Sequence, residues 1–99
     1  MKLHFFVKLT PHRATFVIDM TAEERQVMQE HAAYWAEQMR KGNVIVFGPV
    51  LDPSGAYGAG VVAVDEEQQV RSFIDSDPAK RFNQIDYWPM RAVYPGLTS

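Results

Sequence analysis

The stretch TAEERQVMQEHAAYWAEQMRKGNVIVFGPVLD, residues 21–52, decides how the rest of this chain is arranged. Thr21 is a strong N-cap and Glu24, three residues on, completes a capping box, so a helix begins at residue 22. Met28, Ala32, Trp35 and Met39 follow at spacings of four, three and four, which is one face of a helix. Arg40 and Lys41 put cations in the last turn, and Gly42 supplies the C′ residue that ends the helix after 41. Residues 43–51 then alternate Val44, Val46, Gly48 and Val50 on one face with Ile45, Phe47, Pro49 and Leu51 on the other. Both faces are apolar, which predicts a strand covered on both sides. Pro49 cannot donate to a ladder, so an edge or a bulge is expected there.

His31 is the odd residue of this helix. It lies roughly 70° from the centre of the Met28/Ala32/Trp35/Met39 stripe. Its neighbours one turn away are Val27, Met28, Tyr34 and Trp35. Such a collar partly desolvates an imidazole, and a neutral imidazole is what a general base requires. The plainer alternative is a boundary histidine held by one backbone carbonyl, because a lone helical histidine is weak evidence of chemistry.

Working outward, residues 3–9 alternate Leu3, Phe5, Val7 and Leu9 against His4, Phe6 and Lys8, a strand that Pro11 closes. Residues 11–20, PHRATFVIDM, are too long for a tight turn. Phe16, Val17 and Ile18 predict an arm that packs down and walls a pocket, with Arg13 at its start. Asp52-Pro53-Ser54-Gly55 has type I turn chemistry and leads into a strand over 56–64, where Gly58 and Gly60 share a face with Val62 and Val64. Glycines on a strand face leave room for a ligand or another backbone, or mark a bulge. Asp65 with Gln68 predicts the start of a second helix carrying Val70, Phe73 and Ile74. Asp75-Ser76-Asp77-Pro78 ends it and opens a short turn through Phe82. Residues 86–94 read as the last strand, with Trp88, Met90, Ala92 and Tyr94 on one face, and 95–99 as a tail.

The order β-α-β-β-α-β is that of the ferredoxin-like α+β fold. Two helices cover one face of a four-stranded sheet, yet three strands are apolar on both faces. The other face therefore calls for a partner, and a second copy gives a homodimer through the sheet face, a dimeric α+β barrel. Ninety-nine residues, 46% of them hydrophobic, make one domain, 1–99, with a core over about 3–94. The net charge is −2 with lysines and arginines scattered, which argues against nucleic acid. The chain has no cysteine and no run long enough for a membrane span, so a cytoplasmic protein is expected. No His/Asp/Glu spacing argues for a metal, and no glycine-rich loop for a phosphate cofactor.

With those elements in place, the chain resembles the YCII-related (YciI-like) domain family. The residues that carry the resemblance are Arg13-Ala14-Thr15-Phe16 with Asp19-Met20-Thr21, then Glu30-His31-Ala32-Ala33-Tyr34. Further along are Gly42, Val46-Phe47-Gly48-Pro49-Val50, Asp52-Pro53, Gly55 and Asp77-Pro78. The resemblance implies the dimeric α+β barrel and a small-molecule enzyme with a His–Asp pair at its pocket, which falls here on His31 and Asp77. Some relatives are associated with the breakdown of aromatic compounds. The chain departs from the pattern at Ala79, where relatives often carry an aromatic residue.

The pair has an ordinary structural reading as well, since Asp before Pro is an N-cap followed by an N1 proline. The two roles are compatible: one carboxylate oxygen can cap while the other accepts the His31 N–H. Arg13 is a candidate to pair with a ligand carboxylate or phenolate, or a solvated loop arginine. Tyr34 is a candidate hydroxyl donor, or a packing residue with a wet tip. Gly48 permits close approach of a ligand and Pro49 shapes the wall. Two function classes follow. One is a cofactor-independent lyase, isomerase or hydrolase acting on a small aromatic or cyclic metabolite. The other is a small-molecule-binding or subunit-interaction module without catalysis.

Overall fold

In the computed structural model, which describes residues 1–96, the chain runs β1 (Leu3–Pro11), α1 (Phe16–Asp19), α2 (Ala22–Arg40), β2 (Val44–Val50), β3 (Tyr57–Val64), α3 (Glu67–Asp75), a 3₁₀ turn (Pro78–Arg81) and β4 (Asn83–Met90). Residues 97–99 of the expected tail lie outside the described residues. The strands form one antiparallel sheet in the order β2-β3-β1-β4, and α2 and α3 pack on one side of it. This is the expected α+β arrangement with its split βαβ.

The local signals of the opening stretch operate as read. Thr21 Oγ1 accepts the Glu24 N–H at 3.1 Å, and Glu24 Oε1 accepts the Thr21 N–H at 2.8 Å. Gly42 follows the end of α2 with φ +87°, a conformation that L side chains avoid. The Asp52–Gly55 turn closes with Gly55 N–H on Asp52 O at 2.9 Å. Other readings shift. The residues buried or half-buried on α2 are Glu24, Val27, Met28, His31, Tyr34, Trp35, Glu37 and Gln38, whereas Ala32 and Met39 are exposed. His31 therefore sits near the middle of the inward face, not at its border.

The expected alternation of β2 fails at a register break between Val44 and Val46. The extra residue reverses the parity of everything after it. Phe47 consequently joins Val44 on the helix side, against Trp35, while Val46 points away with 55% of its surface exposed. β2 is an edge strand, which is where Pro49 is tolerated. α3 begins one residue later than expected: Gln69, not Gln68, closes the first turn, its Oε1 accepting the N–H groups of Asp65 and Glu66. β4 starts at Asn83 rather than 86, because its ladder is fixed by β1, running from Pro11↔Asn83 to His4↔Met90. The arm is not a plain loop. It contains the single turn α1, of which Phe16 alone is buried.

The core on the helix side joins Phe5, Val7, Leu9, Trp35, Val62, Val70 and Ile74. Gly60 is the place where the backbone must be bare. A Cβ there would stand 2.3 Å from Trp35 Cζ3, so the indole occupies the space that the glycine leaves. On the opposite face Phe6 stacks on Trp88, and Val46, Trp88 and Met90 remain exposed.

Candidate functional site

α2 ends its inward stripe over a cavity of about 280 Å³ that opens between the helix, the arm and the β2–β3 edge. Phe16, Val17 and Met20 wall it from the arm, Met28, His31 and Trp35 from α2, and Phe47, Gly48 and Pro49 from β2. Gly48 has nothing within 4 Å of where a Cβ would stand. The lining is almost wholly apolar. Its polar side chains are His31, Asn83 and Tyr57.

His31 Nδ1 is 2.9 Å from Asp77 Oδ1 and 3.0 Å from Oδ2. The Asp77 side chain is fully buried and that of His31 is 13% exposed. Asp77 is held from two further sides. Trp35 Nε1–H donates to Oδ2 at 2.6 Å and the Ala79 N–H donates to Oδ1 at 2.9 Å. The second of these is the N-cap bond of the 3₁₀ turn, with Pro78 at its first position. Capping and pairing thus coexist on one carboxylate, and each of its buried oxygens has a donor. Nδ1 faces Asp77, so it carries the proton, and Nε2 is the nitrogen left to the cavity. Ala79 has no exposed surface, so an aromatic side chain there would have to displace the core.

The other two polar candidates are elsewhere. Arg13 does not line the cavity. Its guanidinium donates to Glu24 Oε1 and Oε2, each at 2.8 Å, and to Asp19 Oδ1 at 2.9 Å. His12 Nε2 lies 2.9 Å from Glu24 Oε2. Arg13 holds the Glu24 carboxyl far below the usual carboxylate range, and the Thr21 N–H adds to this. Hydrogen bonds from Thr15 and Arg13 lower that of Asp19. Glu24 and Asp19 in turn hold the guanidinium charged. The cluster ties the arm to the first turn of α2, so Arg13 shapes the site by holding a wall. Tyr34 faces away from the cavity. Its hydroxyl donates to Phe73 O at 2.8 Å and its ring stacks on Phe73. Burial, helped by the charge of Asp77, pushes its phenol upward.

Sequence reasoning missed two contributors. Trp35 looks like core and is core, yet its indole N–H also orients Asp77. Asn83, 8% exposed, enters only when β4 starts at 83. A polar residue at a strand start, after a helical turn, was the one available signal. No helix among the described residues is long and apolar enough to cross a membrane, and no three His, Cys, Asp or Glu side chains there converge as a metal site.

The YCII-related domain model matches residues 4–91 of the chain. No curated protein matches it. Among solved structures, 5-chloro-2-hydroxyhydroquinone dehydrochlorinase (TftG) from Burkholderia phenoliruptrix, in complex with 2,5-dihydroxybenzoquinone, is 15% identical. It superposes with a TM-score of 0.56 over 88% of this chain and 93% of that one. SnoaB, a cofactor-independent oxygenase from Streptomyces nogalater, is 14% identical, with a TM-score of 0.50 over 96% of both chains. At these identities the likeness is one of fold.

Proposed function

The chain belongs to the YCII-related domain family, and from that premise we propose that its cavity is the active site of a cofactor-independent enzyme acting on a small aromatic or cyclic metabolite. The reaction is of lyase, isomerase or hydrolase type. The observation that carries this reading is His31, with Nδ1 on the buried Asp77 carboxylate and Nε2 left to an apolar cavity. In this reading Asp77 fixes the tautomer and steadies the imidazolium that forms. Nε2 takes a proton from the substrate and returns it to the departing group or the product. Trp35 and Ala79 hold Asp77, Arg13 and Glu24 hold the arm, and Gly48 and Pro49 shape the wall. The dehydrochlorinase of the same fold, bound to 2,5-dihydroxybenzoquinone, supports a ring compound as the substrate class.

The test is turnover of a panel of halogenated and plain hydroxyhydroquinones and unsaturated lactones, followed by chloride release and ultraviolet absorption. We expect activity in the wild type and a loss of roughly 10²–10⁴-fold in His31→Gln. A His31→Gln protein as active as wild type removes His31 from the chemistry, and a panel that is bound but never turned over leaves the small-molecule-binding module as the better reading.

We also propose a homodimer through the open sheet face, supported by the exposed Val46, Trp88 and Met90 around Phe6. Light scattering at micromolar concentration should give twice the chain mass, and Trp88→Asp should give the monomer. Phe47 is not a useful probe for this, because it packs on Trp35. A wild type that is monomeric and folded rules out the sheet-on-sheet arrangement.

A further inference from the structure

We propose that Asn83 is the second polar anchor of the cavity, and that together with His31 it selects a neutral ring carrying at least two hydroxyl groups. This rests on the reading of the cavity as a small-molecule site. Asn83 is 8% exposed and stands on the cavity lining. Its Nδ2 lies 2.9 Å from Ala79 O and 3.7 Å from Met28 Sδ. A carbonyl oxygen can only accept, so the amide orientation is fixed and Oδ1 is the atom left over. Oδ1 has no partner among the described residues, and no buried side-chain oxygen or nitrogen there is both sealed and unpartnered. Oδ1 is therefore reachable; Asn83 borders both this cavity and a groove lined by Thr10, His12, Lys80 and Arg81, and we place Oδ1 on the cavity side.

Asn83 Oδ1 and the Nε2 of a neutral His31 are both acceptors. A ligand satisfies both by bringing two donors. No lysine or arginine is on the lining. A carboxylate would face two acceptors without a counter-charge. A quinone or an ether offers no donor, and leaves both groups unpaired in an apolar enclosure, the arrangement that discriminates most sharply between hydroxylated and hydroxyl-free ligands. Tyr57, whose ring lies 4.5 Å from the Lys8 ammonium, can either donate or accept and so does not alter this balance.

The experiment is titration calorimetry under argon with hydroquinone, 4-methoxyphenol, 1,4-dimethoxybenzene and 4-hydroxybenzoate. Hydroquinone should bind tightest and the diether about tenfold or more weaker, with 4-hydroxybenzoate weaker than 4-methoxyphenol. In Asn83→Leu, hydroquinone should fall to the level of 4-methoxyphenol. Equal affinities across the series, or a full preference retained in Asn83→Leu, overturn the proposal. If Asn83→Leu does not fold, the side-chain NH₂ resonances of Asn83 in the wild type carry the test. A shift with hydroquinone and none with the diether supports the anchor, and equal behaviour refutes it. An Asn83-dependent preference without any turnover would leave this inference standing while the catalytic reading fails. Turnover without the preference would do the reverse.

Discussion

Two buried carboxylates, Asp77 and Glu24, perform the same local task and differ in what they hold. Each caps a helical start: Asp77 accepts the Ala79 N–H, and Glu24 accepts the Thr21 N–H. Each also anchors a cationic or basic side chain. Glu24 is clamped by Arg13, whose charge is permanent, with His12 and Asp19 around it. Asp77 instead holds an imidazole, which can exchange its proton and keeps its far nitrogen on the cavity. The same carboxylate chemistry thus fixes a segment of backbone when its partner is a guanidinium and, in the function proposed above, poises a proton carrier when its partner is His31.

The sharpest way to break this comparison is Asp77→Ala. It strands the Trp35 indole N–H, the Ala79 N–H and His31 Nδ1 without an acceptor, and we expect a loss of about 3–5 kcal/mol in urea melts. A loss under 1 kcal/mol would mean that water replaces the carboxylate there. Next is the acid response of Glu24. Its folded carboxyl is held below the ordinary value of 4.5, so the unfolded chain binds a proton more readily. The contribution to stability is complete above about pH 5 and disappears as pH falls through the ordinary value toward the lower folded one. Glu24→Gln keeps the capping box and removes the ion pair. Its urea midpoint should lie below wild type at pH 7, and the gap should narrow steadily as pH falls below the ordinary value of 4.5. Midpoints that stay parallel would locate the acid response elsewhere.

The smallest expected effect scales the other two, because it involves no partner at all. Gly42→Ala meets no atom within 4 Å, so only its φ of +87° opposes the change. A loss of about 1 kcal/mol is expected. The exposed Gln29→Ala is the control. Gln38 is unsuitable, because its side chain accepts from Asn43 Nδ2. Equal midpoints for Gly42→Ala and Gln29→Ala would show that α2 tolerates a left-handed alanine at its end.

The amino-acid sequence alone determined the features whose partners are three or four residues apart: the Thr21–Glu24 box, the Gly42 stop, the Asp52–Gly55 turn and the order of strands and helices. Short-range geometry leaves such signals little freedom, so residue type suffices. The pairing of His31 with Asp77 came from family resemblance, since no periodicity links residues 46 positions apart. Tertiary structure decided the rest. The break after Val44 turned Phe47 inward, and the ladder of β1 moved β4 back to Asn83 and brought that amide to the cavity. Folding also brought Glu24 within reach of Arg13, and turned Tyr34 toward Phe73 instead of the cavity. In each case the outcome is set by competition among distant partners for one polar group or one packing site, and that competition exists only once the sheet and helices have met.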